Sequence, residues 1–262
     1  MPKRINVFAW FIVILGALFF LLPIYGTLDF SLRARKGELS LLAYERVFSD
    51  PLFLQAFFFS VQKALLTIGF SLLLIVPTAY WVNWRLPRWR PVVELVTLMP
   101  FVIPAVVLVF GLIRTFSRPP FVMTRSTFTT DILLIAGYMV LTMPYVYRAV
   151  DTGLRALDVR TLTEAAQSLG ANGPTILWRV IFPNLRGAIL SGALITFATV
   201  IGELILASFL VRPAFGPYME SMGQNKAYEP AALGILSYAL TWASLALIDV
   251  FARGNKQVAS IR

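Results

Sequence analysis

The sequence contains neither cysteine nor histidine, and charged residues make up only 14% of its 262 positions. Without these two side chains the chain offers no disulfide, no Cys or His zinc ligand, no thiol nucleophile and no imidazole acid or base. A typical soluble domain has about 25% charged residues, so this shortage argues against a soluble protein. Many classes of enzyme are therefore excluded.

The sequence is instead rich in apolar residues, which account for 58% of the chain. Apolar runs with at most one charge, close to the length of about 17 to 25 residues that crosses the hydrocarbon core of a bilayer, occur repeatedly. They predict six transmembrane helices at about residues 5–28, 54–82, 93–113, 130–148, 187–211 and 231–249. The predicted fold class is an all-α integral membrane protein, with residues 1–262 forming a single transmembrane domain.

The basic residues predict the orientation of this domain. A net charge of +10 would suggest nucleic-acid binding in a soluble protein, but in a membrane protein basic residues collect on the cytoplasmic side. The short loop between the second and third predicted spans carries Arg85, Arg88 and Arg90 and no acid. Short loops carry the most weight in this rule, so we expect both termini to be cytoplasmic and expect no nucleic-acid partner.

The longest predicted cytoplasmic segment lies between spans four and five and forms a helical hairpin, residues 155–185. Thr161 and Glu164 have the spacing of a capping box, in which each side chain bonds a backbone N–H at the helix start. Gly170 stands where a left-handed helix end favours glycine. An apolar face is predicted at the spacing i, i+3, i+4 and i+7, formed by Leu162, Ala165, Ala166 and Leu169.

The second arm of the hairpin follows a turn at Asn172-Gly173-Pro174. Pro174 suits the first position of a helix, which we expect to run from Thr175 to about Ile181 and to end at Pro183. Two interpretations of the hairpin remain open at this point. It packs against its own membrane helices, or it docks on a soluble partner.

The hairpin resembles a known signature. Glu164-Ala165-Ala166, then Gly170, then Val180-x-Phe182-Pro183 is similar to the EAA motif of permease subunits from binding-protein-dependent ATP-binding-cassette importers. That motif ends Ile-x-Leu-Pro, so Val180 and Phe182 are departures that keep the apolar character and the spacing. The resemblance extends over residues 40–250 and includes "MPFVIPAVVLVFGL" at 99–112.

The resemblance implies a set of partners. Such a permease pairs with a second permease, identical or related, binds two ATPase subunits at its cytoplasmic face, and receives its solute from an extracytoplasmic solute-binding protein. The hairpin would be the coupling helix, with ATPase contacts from Glu164, Ala165, Ala166, Leu169, Gly170 and Ala171. Whether the Glu164 carboxylate acts in coupling or only caps the helix stays open.

The resemblance also implies a non-catalytic subunit in a bacterial cytoplasmic (inner) membrane. The sequence has no Gly-x-x-x-x-Gly-Lys-[Ser/Thr] loop to hold phosphates. ATP and Mg²⁺ are therefore expected on the partner ATPase, and no cofactor or metal is expected in this chain.

Two ionisable residues fall well inside predicted spans, where charge is costly and often functional. Lys63 lies about 13 Å and Glu203 about 12 Å from the outer end of its span, at a rise of about 1.5 Å per residue. We therefore predict a Lys63–Glu203 ion pair. It either locks two helices together or belongs to the translocation path or its gate.

The solute is the least constrained prediction. The pattern most resembles polyamine permeases of the putrescine and spermidine type, with phosphonate, ferric iron and thiamine importers as alternatives. The segment "TVIGELILASFL" departs from the acidic stretch of polyamine permeases. From a different class, an ion-coupled secondary transporter is the alternative, although the inverted repeat typical of that class is not detected.

Overall fold

The computed structural model describes residues 7–259 of the chain. The start of the first predicted span, at residue 5, lies outside this range, as do Lys3 and Arg4. The described residues form helices α1 Val7–Leu32, α2 Leu42–Phe48, α3 Pro51–Trp84, α4 Arg90–Val102, α5 Ala105–Phe116, α6 Thr127–Arg155, α7 Val159–Ser168, α8 Gly173–Asn184, α9 Arg186–Ile201, α10 Ile205–Phe209, α11 Phe215–Asn225 and α12 Glu229–Ala259.

Three of these helices are long and apolar enough to cross a membrane, namely the Trp10–Leu32 part of α1, all of α3 and all of α6. Two further pairs of helices reach the necessary length only if each bent pair counts as one span, which gives up to five among the described residues. The first, second and fourth predicted spans thus coincide with continuous helices. The sixth, 231–249, falls within α12.

The third predicted span is not one helix. It breaks at Ile103, whose extended backbone (φ −88°, ψ 115°) separates α4 from α5, and the chain turns by 102°. Pro104 favours this break, because the proline ring disfavours the helical conformation for the residue before it. Pro100, by contrast, lies inside α4 without ending it.

The fourth and fifth predicted spans have different bounds from those expected. Helix α6 is longer than 130–148, because the Ser126 side chain caps it by accepting a hydrogen bond from the Thr129 N–H. Helix α9 ends at Ile201, and the short helix α10 follows after a turn at Gly202–Leu204. The predicted span 187–211 was therefore wrong as a single helix.

The chain divides into two compact units. The first consists of residues 1–54 and 218–239. Its polar contacts join segments distant in sequence: the Ser31 and Tyr44 hydroxyls are 2.8 Å apart, the Tyr218 hydroxyl donates to Asp50, and Arg46 pairs with the buried Glu229 at 3.1 Å.

The second unit consists of residues 55–217 and 240–262. It contains two clusters of buried apolar side chains. One joins α3, α6 and α9 to the hairpin helices α7 and α8 and includes Tyr80, Val150 and Ile181. The other joins α3, α5 and α6 to the segment around α10 and includes Leu134 and Leu206. Both hold the candidate functional residues in place.

Candidate functional site

The first helix of the hairpin, α7, begins one turn earlier than predicted. Its N-cap is Asp158, whose carboxylate accepts hydrogen bonds from the Thr161 N–H at 3.1 Å and the Thr161 hydroxyl at 2.7 Å. The Thr161 hydroxyl bond, with the Thr161 N–H, holds the pKa of Asp158 below its usual value. The predicted capping box was wrong, because Glu164 instead pairs with Arg160 at 2.7 Å one turn back.

The end of α7 is as predicted. Gly170 has a left-handed backbone with φ +80°. The Gly170 N–H donates to the Gln167 carbonyl at 2.9 Å and the Ala171 N–H to the Ala166 carbonyl at 3.0 Å, the pair of bonds that defines a Schellman motif. The Asn172 side chain then caps the second arm by accepting from the Thr175 N–H at 3.0 Å.

The buried face of α7 differs from the predicted apolar face. Val159, Thr163 and Ala166 are buried, whereas Leu169 is 89% exposed and Ala165 is also exposed. The Thr163 hydroxyl lies 3.1 Å from the Tyr80 hydroxyl of α3 in a buried hydrogen bond. A polar side chain therefore occupies the inner face, and an apolar one is left outside.

The second arm, α8, anchors the hairpin. Its middle, Ile176–Ile181, is a π-helix, and Ile176, Leu177 and Ile181 are buried in the cluster shared with α3 and α6. Pro183 does not end this arm, which continues to Asn184 before α9 begins after a bend of 77°. The first interpretation of the hairpin is thus met for one face, which packs on the chain's own helices, and docking on a soluble partner stays a prediction.

The six predicted docking residues separate into two groups. Glu164, Ala165, Leu169 and Gly170 are exposed and form a continuous surface that we call the hairpin tip. Ala166 faces inward and is 9% exposed, and the half-buried Ala171 packs against the same core cluster. Of the six predicted residues, the four of the hairpin tip are therefore the exposed ones.

Beside the hairpin lies a group of charged side chains centred on Asp151. Asp151 is 5% exposed, accepts hydrogen bonds from Asn83 of α3 at 2.9 Å and from Arg90 of α4 at 3.1 Å, and forms an ion pair with Arg155 at 2.6 Å. Glu94, which is partly exposed, pairs with the same two arginines. We call these five residues the Asp151 network.

The Asp151 network borders a cavity of about 320 Å³ between α4 and α6. Sequence reasoning did not single out Asp151, because this residue lies near the end of a predicted span and was counted as a loop charge. Its signal is an acid on the face of a helix that otherwise carries buried apolar residues such as Tyr147, Val150 and Leu154.

The predicted Lys63–Glu203 ion pair was wrong. Lys63 is buried and its ammonium lies 2.8 Å from the carboxylate of Asp131, in the second turn of α6. Arg212 pairs with the other oxygen of Asp131 at 2.6 Å. Both cations lie over the Phe59 ring, at 4.8 Å and 5.5 Å from its centroid.

Glu203 makes different contacts from the predicted ion pair, and its place on the translocation path or gate stays a prediction. Its carboxylate accepts from the Leu206 N–H at 2.9 and 3.1 Å and from the Ala207 N–H at 3.3 Å, so it caps α10. Gly216 lies against the Glu203 backbone so closely that a Cβ would collide with it. Sequence reasoning missed Asp131, at the start of the fourth predicted span, and Arg212, one residue beyond the fifth.

The chain as a whole matches a known family. The model of the family described as "Binding-protein-dependent transport system inner membrane component" matches residues 5–253. The chain therefore belongs to this family of permease subunits of ATP-binding-cassette importers, in which ATP hydrolysis takes place on a separate subunit.

Two relatives illustrate the range of the family. The chain is 24% identical over 222 residues to the spermidine/putrescine transport system permease protein PotB of Haemophilus influenzae, covering 78% of this chain and 75% of PotB. It is 32% identical over 152 residues to a probable molybdenum transporter permease of Haloferax volcanii, covering 55% and 54% of the two chains.

Solved structures show the same fold. A chain of the bacterial alginate transporter, in complex with an alginate-bound periplasmic protein, superposes with a TM-score of 0.72 at 16% identity, covering 94% of this chain and 93% of that one. At this identity the likeness concerns the fold alone.

Proposed function

We propose that this chain is the membrane-spanning subunit of an importer whose hairpin tip docks on a separate ATPase subunit. In this proposal the chain crosses the membrane six times with both termini in the cytoplasm, pairs with a second permease and receives its solute from an external binding protein. The observation that carries the docking assignment is the exposure of Leu169, which is 89% accessible although Ala166, about one turn back, is buried.

The geometry of the hairpin supports docking in two ways. The inner face is fixed by buried apolar contacts and by the Thr163–Tyr80 hydrogen bond, so a force applied to the tip is transmitted to α3. The tip itself presents small residues, Ala165 and Gly170, which permit close approach of a partner surface. An apolar side chain surrounded by small residues is suited to a pocket on a soluble protein.

The proposed solute is a polyamine of the putrescine or spermidine type. Its support is the match to PotB, which covers most of both chains. The relatives also include permeases named for molybdenum and ferric transport. Glu203 does not add support for a cation, because its carboxylate is occupied by the backbone of α10.

The proposal is tested by Leu169→Glu in a reconstituted complex with ATPase subunits and solute-binding protein. We expect ATP-dependent putrescine uptake to fall by about tenfold or more, because a charge at the tip opposes burial in an apolar pocket. Leu39→Glu is the matched control, since Leu39 is 69% exposed in the first unit and should leave uptake unchanged.

Three outcomes would contradict parts of the proposal. Full uptake by Leu169→Glu would show that the hairpin tip is not the docking surface. Uptake of molybdate, phosphonate, ferric iron or thiamine, without uptake of putrescine, would show that the proposed solute is wrong. Uptake driven by an ion gradient without the ATPase would overturn the mechanism.

A further inference from the structure

Two helix ends in this chain have the same hydrogen-bonded form but different residues at the left-handed position. Helix α7 ends with Gly170, as is usual. Helix α10 ends with Val211, at φ +54°, with the Val211 N–H bonded to the Ser208 carbonyl at 3.0 Å and the Arg212 N–H to the Ala207 carbonyl at 2.8 Å. A β-branched residue in this conformation is strained, because its side chain crowds the backbone.

Strain of this kind persists only where the surroundings fix the backbone. Here Arg212, the residue after Val211, fixes the backbone of the turn. The Arg212 guanidinium is 13% exposed and lies 2.6 Å from the Asp131 carboxylate, in an ion pair rather than a linear hydrogen bond. The Asp131 carboxylate is held in turn by Lys63 at 2.8 Å. The strained turn is therefore fastened to both α3 and α6 through one acid.

We propose that Asp131 is a positioning residue that holds the turn at residues 210–214 in its strained form through Arg212. We call the conformation described here the resting conformation. We further propose that the turn is released when the permease leaves this conformation. This second part rests on the proposed function. Val211 is 83% exposed at the apex of the turn and, with Arg125 and Arg212, lines a cavity of about 310 Å³. Movement of the turn would change that surface.

The charges of the cluster provide a matched pair of variants. Two cations, Lys63 and Arg212, share the single carboxylate of Asp131. Removing either cation leaves one neutral buried ion pair, so neither change strands a buried charge. Arg212→Gln detaches the turn from Asp131, whereas Lys63→Gln leaves the attachment in place.

The first test measures amide hydrogen exchange at residues 211 and 212 in the assembled complex. Arg212→Gln should speed exchange about tenfold, because opening of the turn no longer breaks an ion pair. Lys63→Gln should leave exchange close to that of the wild type. Equal exchange in all three proteins, or equal acceleration in both variants, would overturn the positioning role.

The strain itself is tested by Val211→Gly, with Val211→Ala as the control that keeps a Cβ. Glycine adopts the left-handed conformation freely. Val211→Gly should therefore restore protection of the backbone N–H of residue 212 in the Arg212→Gln background, where this N–H is retained. Val211→Ala should restore much less. Failure of glycine to restore protection would show that strain is not what the ion pair opposes. If Arg212→Gln does not fold, Val211→Gly and Val211→Ala are compared in the wild-type background. Amide exchange of the turn should then be slower than in the wild type for Val211→Gly only.

A second measurement separates this proposal from the proposed function. Basal ATP hydrolysis by the complex without solute-binding protein should rise about fivefold in Arg212→Gln, because the resting conformation is less favoured. Altered exchange with unchanged hydrolysis would retain the positioning role and refute release during the cycle. Absence of ATP-dependent uptake by the wild-type complex would refute the proposed function, while the exchange result would still decide the role of Asp131.

Discussion

The Glu203 carboxylate lies among backbone N–H groups at the start of α10, and those contacts account for an acid in an otherwise apolar segment. The first N–H groups of any helix lack partners within the helix, and a carboxylate satisfies them well. Leu206 and Ala207 are fully buried, so bulk solvent does not reach these N–H groups. The charge therefore serves the break between α9 and α10.

A substitution at this position distinguishes a capping role from a role in solute passage. Glu203→Gln keeps one acceptor oxygen and the side-chain shape, so we expect a loss of about 1 kcal/mol in stability and little loss of uptake. Glu203→Ala, which removes the cap, should lower the thermal midpoint further. The measurements are the thermal midpoint in detergent and ATP-dependent uptake. Abolished uptake by Glu203→Gln at an unchanged thermal midpoint would instead place the charge on the path.

At the scale of elements, the hairpin is held by its inner face, and its outer face is the one we propose to dock on the ATPase subunit. The inner face includes one hydrogen bond between side chains, from Thr163 of α7 to Tyr80 of α3, that is shielded from solvent. A buried hydroxyl pair of this kind contributes only modestly to stability but fixes the relative position of two elements. This hydrogen bond links α7, which carries most of the hairpin tip, to α3.

This link is measured by a double-mutant cycle. Tyr80→Phe and Thr163→Val should each cost about 1 kcal/mol, because each leaves a buried hydroxyl without its partner. The double variant should cost less than the sum of the two, with a coupling of about 0.5 kcal/mol or more. Ser168→Ala is the control, since the Ser168 hydroxyl bonds only within α7, to the Glu164 carbonyl. Additive effects of the two changes would refute the link.

At the scale of the whole molecule, ion pairs join helices that are far apart in the sequence. The Asp151 network connects α3, α4 and α6 around one buried carboxylate. The cluster at Asp131 connects α3, α6 and the turn after α10. Both lie within the second unit, one beside the hairpin and one beside the break at α10.

The Asp151 network predicts a large effect for one change and a small effect for its neighbour. Asp151→Asn removes the buried carboxylate and leaves Arg90 and Arg155 paired with Glu94 alone, so we expect a loss of about 1.5–3 kcal/mol. Glu94→Gln, at a side chain that is 39% exposed, should cost about 1 kcal/mol or less. Denaturation midpoints of the two variants in the same detergent check this. Comparable midpoints would show that Asp151 is not the centre of the network.

Sequence reasoning identified the family and the position of the hairpin, because these depend on local patterns such as Gly170 and the uncharged runs. It failed where distant segments meet. The Lys63–Glu203 pair was inferred from equal depth alone, and depth does not determine which faces of two helices meet. Asp131 was passed over because it was counted as an outer charge.

The sequence by itself determined that the chain is apolar, helical and free of imidazole and thiol chemistry, and that Gly170 ends a helix. These properties follow from composition and from interactions within a few residues. Only the tertiary structure decided that Ala166 faces inward and Leu169 outward, and that Lys63 and Arg212 share Asp131. The physical reason is that burial and ion pairing depend on which helix faces are brought together, and packing across the whole chain sets those contacts.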